Sequence, residues 1–302
     1  MAGPKLNAIG VPYNSSGLSD GVALGAQALR EAGLIERLGS VMDVDDAGVL
    51  DAGPKQSARG GSGLLDERGL ATMIGSVRDA VARAYAAGSL PLVYGGDCPV
   101  VLGGLAAAAA EHGEVGLLFV DGHEDAWPPP RSPTGEGADS ELGLALGLNR
   151  DGLPPELAAR LPLLDPAAVA LLGPRDAEEL AENDVPRLEG TATLWTDEEV
   201  RARGPAAAAL EALERVRALS PSWWLHLDLD VLSTESFPAA DYLQSGGLSW
   251  EELDELLAAA LAEPGCVGWT VVIYNPDLDL DRAAARRTIE QLAHAASMLA
   301  QA

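Results

Sequence analysis

Apolar runs alternate with helical patterns along the 302-residue sequence, and this alternation restricts the fold more than any other feature. Runs that are apolar throughout are typical of strands buried on both faces, and such strands belong to parallel sheets covered by helices. The candidate strands are residues 6–10, 40–44, 90–94, 115–120, 168–173, 192–195, 223–229 and 267–273. The helical patterns occupy residues 22–38, 63–87, 100–111, 176–182, 205–219, 250–262 and 282–299. We therefore predict a three-layer α/β/α fold with an eight-stranded, mainly parallel sheet, in one domain spanning residues 1–302.

Two of these candidate strands end in clusters of acidic residues. Asp121, His123 and Asp125 follow the fourth strand, while Asp228 and Asp230 follow the apolar part of the seventh. Side chains alternate along a strand, so the members of each cluster share one face if the extended geometry continues. Carboxylates crowded at the ends of buried strands repel one another and lose hydration, so they need a compensating cation.

A metal site is one interpretation of these clusters, and helix caps or solvated turns are the other. A single Asp-x-Asp pair is more often a cap or a turn than a pair of ligands. Two clusters, each after an apolar strand, favour the metal site. Carboxylate oxygens together with one imidazole suit Mn²⁺ best, with Zn²⁺, Ni²⁺ and Fe²⁺ as alternatives.

The charge of the chain limits its partners. With 46 acidic and 20 basic residues, the formal net charge is −26, which disfavours nucleic acid and anionic membranes. Much of this charge is expected on a solvated exterior, although an acidic surface also attracts a cationic small-molecule substrate.

The cysteines and the apolar runs suggest a location. Cys98 and Cys266 are too few for a disulfide framework, which fits a reducing cytoplasm. The first residues lack a basic segment followed by an apolar core, and no apolar run approaches the roughly 18 residues of a membrane span. We expect a cytoplasmic protein that acts on a small molecule.

Several short motifs in this sequence resemble those of the arginase family of ureohydrolases, which includes agmatinase, guanidinobutyrase and formiminoglutamase. The resemblance covers nearly the whole chain and implies an arginase-like fold and assembly as a trimer or hexamer. The motifs, in the family's order, are Gly-Gly-Asp at 95–97, Asp-x-His-x-Asp at 121–125, Gly-Pro-Arg-Asp at 173–176, Asp-x-Asp at 228–230, Gly-Gly-Leu-Ser at 246–249 and Asn-Pro at 275–276.

The resemblance also implies a set of metal ligands. In that family two Mn²⁺ ions share bridging carboxylates and activate a hydroxide that attacks the guanidine carbon. Carried over to this sequence, Asp121 and Asp228 would bridge the ions, His123 and Asp230 would complete one site, and Asp125 would belong to the other. One or two Mn²⁺ ions are therefore expected, with Zn²⁺ or Ni²⁺ as alternatives.

Two departures from the family concern the metal site itself. Cys98 stands where the family's Gly-Gly-Asp-His motif has its histidine. A thiolate is a softer ligand and shifts preference toward Zn²⁺ or toward a weakly held first ion, whereas a buried, inert cysteine is the alternative. His226 replaces a small polar residue two positions before Asp228 on the same strand face, either as a satisfied core residue or as a partner of a ligand.

Two further departures concern the substrate and proton transfer. Ile273 occupies the position, just before the Asn-Pro turn, at which arginases, agmatinases and formiminoglutamases have a glutamate that binds the cationic guanidinium or amidine. An isoleucine cannot pair with a buried cation, so hydrolysis of arginine itself is not expected. The loop after the first cluster lacks the family's proton-relaying histidine. Asp139 or Glu141 is expected to act as acid and base instead, unless both only cap the helix that begins near residue 140.

Together these features predict a metal-dependent hydrolase that cleaves a C–N bond of a guanidine-, amidine- or amide-type small molecule, such as an N-hydroxyguanidine. Asp125, Asp139 and Glu141 are the expected catalytic residues. Thr134, Glu136 and Glu178 lie where members of the family contact the remote end of the substrate.

Two other interpretations remain open at the level of the sequence. The replaced histidines and glutamate favour a catalytically inactive metal-binding scaffold or regulatory subunit, whereas the retained acidic clusters oppose it. A mononuclear, deacetylase-like amidohydrolase would keep one metal at Asp121, His123, Asp228 or Asp230. Metal stoichiometry and turnover separate these interpretations.

Overall fold

The fold is known from a computed structural model, which describes residues 5–51, 53 and 55–300. Its strands are β1 (Lys5–Gly10), β2 (Asp43–Val49), β3 (Ser89–Tyr94), β4 (Gly116–Val120), β5 (Val169–Gly173), β6 (Thr193–Thr196), β7 (Trp223–Asp228) and β8 (Cys266–Val272). They form one sheet in the order β2-β1-β3-β8-β7-β4-β5-β6, and all neighbouring strands run parallel. Every residue of β4, β5 and β7 is buried, so both faces of the sheet are covered, as predicted for a three-layer fold.

Eleven α-helices lie within the described residues. They are α1 (Gly25–Glu31), α2 (Leu34–Gly39), α3 (Glu67–Ala86), α4 (Val100–His112), α5 (Glu141–Ala145), α6 (Pro155–Ala158), α7 (Ala177–Glu182), α8 (Asp197–Arg203), α9 (Pro205–Leu219), α10 (Trp250–Leu261) and α11 (Ala283–Leu299). The predicted helices at 100–111, 176–182, 205–219, 250–262 and 282–299 agree with the structure to within one residue at each end.

Three predicted elements in the first 90 residues differ from the structure. The helix predicted at 63–87 differs mainly at its start, which is Glu67. The helix predicted at 22–38 is interrupted at Gly33, which has a φ of 99°. Glycine adopts this left-handed conformation readily, but an α-helix cannot continue through it. The strand predicted at 40–44 begins at Asp43 instead, because Val41 and Met42 still donate hydrogen bonds to the carbonyl of Leu38 at the end of α2. Strand β2 therefore starts three residues later than predicted.

The central part of the sheet positions the functional groups. Strands β3, β8, β7 and β4 are consecutive neighbours, and the segments at their carboxyl ends include Cys98, Ile273, Asp228 and Asp121. In open parallel sheets, ligands bind beyond the carboxyl ends of the strands, at points where successive connections diverge. Residues far apart in the sequence therefore meet at one edge of the sheet.

Candidate metal centre and active site

The carboxyl ends of β4 and β7 bring the two acidic clusters together. Asp121 follows β4 directly, and Asp228 is the last residue of the neighbouring strand β7. The backbone turns at both places, since Asp228 caps a 3₁₀ turn at Leu229–Val231 and Asp125 has a φ of 43°. The extended geometry on which the predicted alternation depended therefore stops here, and turns bring the side chains together instead.

Backbone amides fix one oxygen of each central carboxylate. The N–H of His123 donates to Asp121 Oδ1 at 2.8 Å, and the N–H of Asp230 donates to Asp228 Oδ1 at 2.7 Å. The N–H of Gly122 donates to Asp230 Oδ1 at 3.0 Å, and His123 Nδ1 lies 2.9 Å from Asp230 Oδ2. These bonds orient the carboxylates before any ligand arrives.

The turn between Asp121 and His123 needs a residue without a Cβ. A Cβ on Gly122 would lie 2.5 Å from Arg175 Nη1 and 2.8 Å from Asp230 Oδ1. Arg175 uses this space to donate from Nη2 to the carbonyl oxygen of Asp230 at 2.6 Å. The guanidinium thereby ties the segment after β5 to the second acidic cluster.

The electrostatics of the clusters favour a bound cation. Burial, followed by repulsion from neighbouring carboxylates, raises the pKa of Asp121, Asp125 and Asp228. Burial alone would lower the pKa of His123, but the charge of Asp230 and its hydrogen bond to His123 raise that pKa to about 10. Divalent cations relieve this kind of repulsion and allow the carboxylates to ionise.

The side chains also meet the geometric requirement for metal ligands. Among the described residues, three groups have ligand atoms within 4.8 Å of one another, and Asp121 belongs to all of them. The groups are Asp121, His123 and Asp125; Asp121, Asp228 and Asp230; and Cys98, Asp121, Glu141 and His226. Asp121 Oδ2 is buried without a hydrogen-bond partner, and carboxylate, imidazole and thiol donors together suit divalent transition metals. The residues present therefore fit a metal centre.

Cys98 and His226 lie close to the central carboxylates. Cys98 Sγ donates to Asp228 Oδ2 at 2.8 Å, and burial together with the charge of Asp228 raises the pKa of the thiol. His226 is fully buried on β7, with its ring stacked on Phe119 at a centroid distance of 4.4 Å. Neither ring nitrogen has a hydrogen-bond partner in the part of the chain that the structure describes, and Nε2 lies 3.7 Å from Asp121 Oδ2. His226 is buried as a core residue would be, but its polar atoms are not satisfied.

A cavity of about 370 Å³ opens beside the acidic clusters. Eight of its lining residues are Asp or Glu, and His123 is the one basic residue among those that the structure describes there, so the cavity favours cations. The lining residues are Asp97, Cys98, His123, Asp125, Trp127, Pro133, Thr134, Ala138, Asp139, Asp176, Glu179, Asp228, Asp230, Asp241, Tyr242, Leu243, Gln244 and Ile273.

The two residues expected to transfer protons lie in different surroundings. Asp139 lines the cavity, and its Oδ2 accepts hydrogen bonds from the hydroxyls of Ser132 and, at 2.7 Å, Thr134. Glu141 is the first residue of α5, is fully buried and is not part of the cavity lining. Burial raises the pKa of both carboxyls. The N-cap residue of α5 is Ser140 and not Asp139 or Glu141.

The residues expected at the remote end of the substrate are also separated. Thr134 lines the cavity, and Glu136 Oε2 accepts a hydrogen bond of 3.2 Å from the hydroxyl of Tyr242, which lines it too. Burial, followed by the charge of Asp97, raises the pKa of Glu136 to about 7. Glu178 is exposed on α7 and is not a lining residue, whereas its neighbour Glu179 is.

Several lining residues were not singled out from the sequence. Asp97 and Asp176 belong to the Gly-Gly-Asp and Gly-Pro-Arg-Asp motifs, so a signal for them was present. Asp176 Oδ2 accepts a hydrogen bond of 3.0 Å from the N–H of Glu124, and burial raises the pKa of Asp176 to about 6. Asp241 and Tyr242 lie in a loop without a recognisable pattern, and only the fold brings them to the cavity.

Ile273 is part of the cavity wall just beyond β8. Its side chain is buried, and its N–H donates to the carbonyl of Gly96 at 2.9 Å. Its φ of 72° is rare for a β-branched residue. The structure therefore places an apolar group where the sequence comparison with ureohydrolases expects a carboxylate.

Within the described part of the chain, each helix is either too short or too polar to cross a bilayer.

Comparisons with known proteins agree with this geometry. The family model described as the arginase family matches residues 5–299. An arginase from Bacillus caldovelox is 30% identical over 278 residues, which cover 91% of this chain and 92% of that protein. The N(omega)-hydroxy-L-arginine amidinohydrolase of Streptomyces lavendulae is 29% identical over 212 residues, 69% of each chain.

A solved structure of Bacillus caldovelox arginase superimposes with a TM-score of 0.83 at 27% sequence identity, covering 98% of each chain. The family match covers almost every residue, and the parallel sheet with acidic clusters at its carboxyl edge agrees with it. This chain therefore belongs to the arginase family.

Proposed function

We propose that this chain is a metal-dependent hydrolase that cleaves a C–N bond of a guanidine-, amidine- or amide-type small molecule, as an arginase-like amidinohydrolase. Membership of the arginase family supports the hydrolase chemistry. The main structural support is the convergence of Asp121, His123, Asp228 and Asp230 beside the 370 Å³ cavity.

The proposed ligands come from both acidic clusters and from the segment after β3. They are Cys98, Asp121, His123, Asp125, Asp228 and Asp230. When bound, divalent ions lower the pKa of a water molecule and orient it toward an electrophilic carbon. The contact between His123 and Asp230 fixes the imidazole at this wall of the cavity.

We assign the acid and base role first to Asp139. Both neighbouring hydroxyls donate to its Oδ2, which leaves Oδ1 as the atom expected to exchange a proton with the leaving nitrogen. Asp125 and Glu141 are the other catalytic candidates. Asp125 lines the cavity, and the charge of Glu141 contributes to its raised pKa.

The proposed substrate is less basic than arginine at its reacting end, because Ile273 offers no charge to a guanidinium. The relative from Streptomyces lavendulae, named an N(omega)-hydroxy-L-arginine amidinohydrolase, supports an N-hydroxyguanidine as the first compound to test. Thr134 and Glu136 are the proposed contacts for the remote end: Thr134 lines the cavity, and Glu136 lies outside the lining but bonds to the lining residue Tyr242. Glu178 is a weaker candidate, because it is exposed outside the lining.

Turnover and metal content test this proposal together. Protein reloaded with Mn²⁺ should release amine or urea-type product from N-hydroxyarginine, agmatine, arginine or a neutral amide. Asp228→Asn should lose both metal and turnover because the remaining carboxylates bind a cation less well. Asp79→Asn is the control, since Asp79 pairs only with Arg78 at the surface and its side chain is 58% exposed. Equal metal content in the two variants would refute the proposed ligands.

A catalytically inactive metal-binding scaffold or regulatory subunit is the second candidate. It is favoured by three replacements: Cys98 and Ile273 stand for a metal-binding histidine and a substrate-binding glutamate, and the loop around Asp139 lacks a histidine. Full metal loading without turnover on any member of the panel would support it. A single ion per chain with amide hydrolysis would support the deacetylase-like alternative instead.

The remaining assignments follow the family resemblance. We propose Mn²⁺ as the native metal, with one or two ions per chain and with Zn²⁺ or Ni²⁺ as alternatives. We also propose a single domain over residues 1–302, a homo-oligomer built as a trimer or hexamer, and a cytoplasmic location. Metal analysis, light scattering and cell fractionation test these points separately.

A further inference from the structure

A second set of metal-ligating side chains lies behind the cavity wall. It consists of Cys98, Asp121, Glu141 and His226, here called the closed cluster. Their exposure is at most 4%, and only Cys98 also lines the cavity. The four residues come from the segment after β3, the end of β4, the start of α5 and the middle of β7.

The polar atoms of the closed cluster are partly unsatisfied. Among the described residues, Asp121 Oδ2 and both ring nitrogens of His226 are buried without hydrogen-bond partners. The carboxyl of Glu141 shares a hydrogen bond with another carboxyl, that of Asp125, and lies against its own backbone. Buried polar groups are almost always paired in folded proteins, because leaving them unpaired opposes folding. Unpaired atoms gathered at one point indicate a ligand that binds them.

The distances within the closed cluster suit an ion better than hydrogen bonds. One ligand atom from each of the four residues lies within 4.8 Å of the others. His226 Nε2 and Asp121 Oδ2 are 3.7 Å apart, too far for a hydrogen bond. Two ligands of one tetrahedral Zn²⁺ ion lie about 3.3 to 3.8 Å apart, given metal–ligand bonds of about 2.0 to 2.3 Å. The stacked ring of Phe119 holds the imidazole in this orientation.

We propose that Cys98, Asp121, Glu141 and His226 form a closed, four-coordinate site for a Zn²⁺-type ion, separate from the site that His123 and Asp230 offer to the cavity. A thiolate with an imidazole and two carboxylates favours Zn²⁺ or Co²⁺ over Mn²⁺. Binding releases the thiol proton of Cys98 to solvent and ends its hydrogen bond to Asp228. The inference rests on the proposed function, because Asp121 and Cys98 belong to the ligand set proposed there. It assigns Cys98 to the closed site, and it makes Glu141 a ligand instead of an acid or base.

Cobalt spectroscopy on the intact protein tests the proposal without any substitution. Chelator-treated protein is titrated with Co²⁺, and a thiolate-to-cobalt charge-transfer band in the near ultraviolet is expected together with intense tetrahedral d–d bands. Saturation at two Co²⁺ ions per chain is also expected. Bound Co²⁺ without the charge-transfer band would overturn the proposal, because the sulfur would then not be a ligand.

Substitutions then separate the closed cluster from the site facing the cavity. Glu141→Gln and His226→Gln should weaken Co²⁺ binding in the charge-transfer titration by more than about tenfold, and Cys98→Ser should abolish the band. Cys266→Ser is the matched control, because Cys266 lies on β8 away from the cluster. His123→Asn should lose the other ion and keep the band. A band lost in His123→Asn but retained in His226→Gln would overturn the proposal.

Turnover distinguishes this inference from the proposed function. A charge-transfer band in protein that hydrolyses no member of the substrate panel would leave the closed site established and the proposed function refuted. Turnover by protein that binds Co²⁺ without the charge-transfer band would support the proposed function and refute the closed site. Circular dichroism of each variant verifies that a lost band does not reflect a lost fold.

Discussion

A β-branched side chain at positive φ is uncommon, because its branches collide with the adjacent backbone. Ile273 nevertheless has a φ of 72° at the wall of the cavity, where its N–H bonds to Gly96. Conformations of this kind persist only when the surrounding structure imposes them, and they concentrate at functional sites. The backbone at residue 273 therefore fits a position dedicated to the ligand, although its side chain is apolar.

Replacing this side chain tests the substrate preference. Arginine should be a poor substrate of the unmodified protein at any metal loading, below the ordinary range of about 10 per second. Ile273→Glu should raise kcat/KM for arginine by at least about tenfold over Ile273→Gln, since only the carboxylate neutralises the guanidinium. Equal kinetics of the two variants would mean that another carboxylate of the cavity binds the cation.

Substitution of Cys98 tests which metal the protein prefers. Cys98→His would replace a soft sulfur by an imidazole, and Mn²⁺ content should rise toward two ions per chain. Cys98→Ala should leave at most one firmly bound ion. Metal analysis after identical Mn²⁺ loading and gel filtration measures the difference, and indistinguishable contents in all three proteins would show that Cys98 only fills space.

At the scale of elements, two loops meet over the cavity. Glu136 lies in the loop between β4 and α5, and Tyr242 lies in the loop between β7 and α10. Their hydrogen bond of 3.2 Å links these loops, and it stabilises the charged form of Glu136. The pKa of Glu136 is raised from 4.5 to about 7, so the folded protein binds the carboxyl proton more tightly than the unfolded chain does. The protonated carboxyl therefore adds to the free energy of unfolding at low pH, and this contribution is lost as the pH rises from about 4.5 to about 7.

This contact predicts a pH dependence. If the charged form of Glu136 binds the remote end of the substrate, kcat/KM should fall as the pH drops below about 7. Tyr242→Phe removes the bond that lowers the pKa of Glu136, so the acidic limb should move up by as much as about one pH unit. Tyr85→Phe is the control, because the Tyr85 hydroxyl donates to the carbonyl of Val267 instead. An unchanged profile for Tyr242→Phe would exclude Glu136 from binding.

The long, regular elements could be predicted from the sequence because their apolar periodicity is strong. Helix α8 was missed although Thr196 and Glu199 form a capping box, since its residues are mostly polar. Strand β2 was displaced for a related reason, as three of its seven residues are aspartates. The proximity of Glu141 and His226 could not be predicted, because it depends on where the fold places the start of α5 relative to β7 and not on any spacing along the chain.

For the whole molecule, the formal net charge of −26 opposes compaction through self-repulsion. Raising the salt from about 0.01 M to about 1 M shortens the screening length from about 30 Å to about 3 Å. The Tm of the metal-free protein should therefore rise with sodium chloride, and it should rise less after metal loading, which already neutralises carboxylates at the cavity. A Tm that falls with salt would show that surface ion pairs outweigh the repulsion.

The aspartates of strand β2 affect how copies of this chain can assemble. It lies at one end of the sheet, and Asp43, Asp45 and Asp46 are turned to Lys5 and Arg30 of the same chain. Joining two such margins into a continuous sheet would bring aspartates of one copy against those of the other, which like-charge pairing across strands disfavours. Pairing of two β2 margins is therefore disfavoured, and we expect copies of this chain to meet through helices, loops or the opposite margin of the sheet.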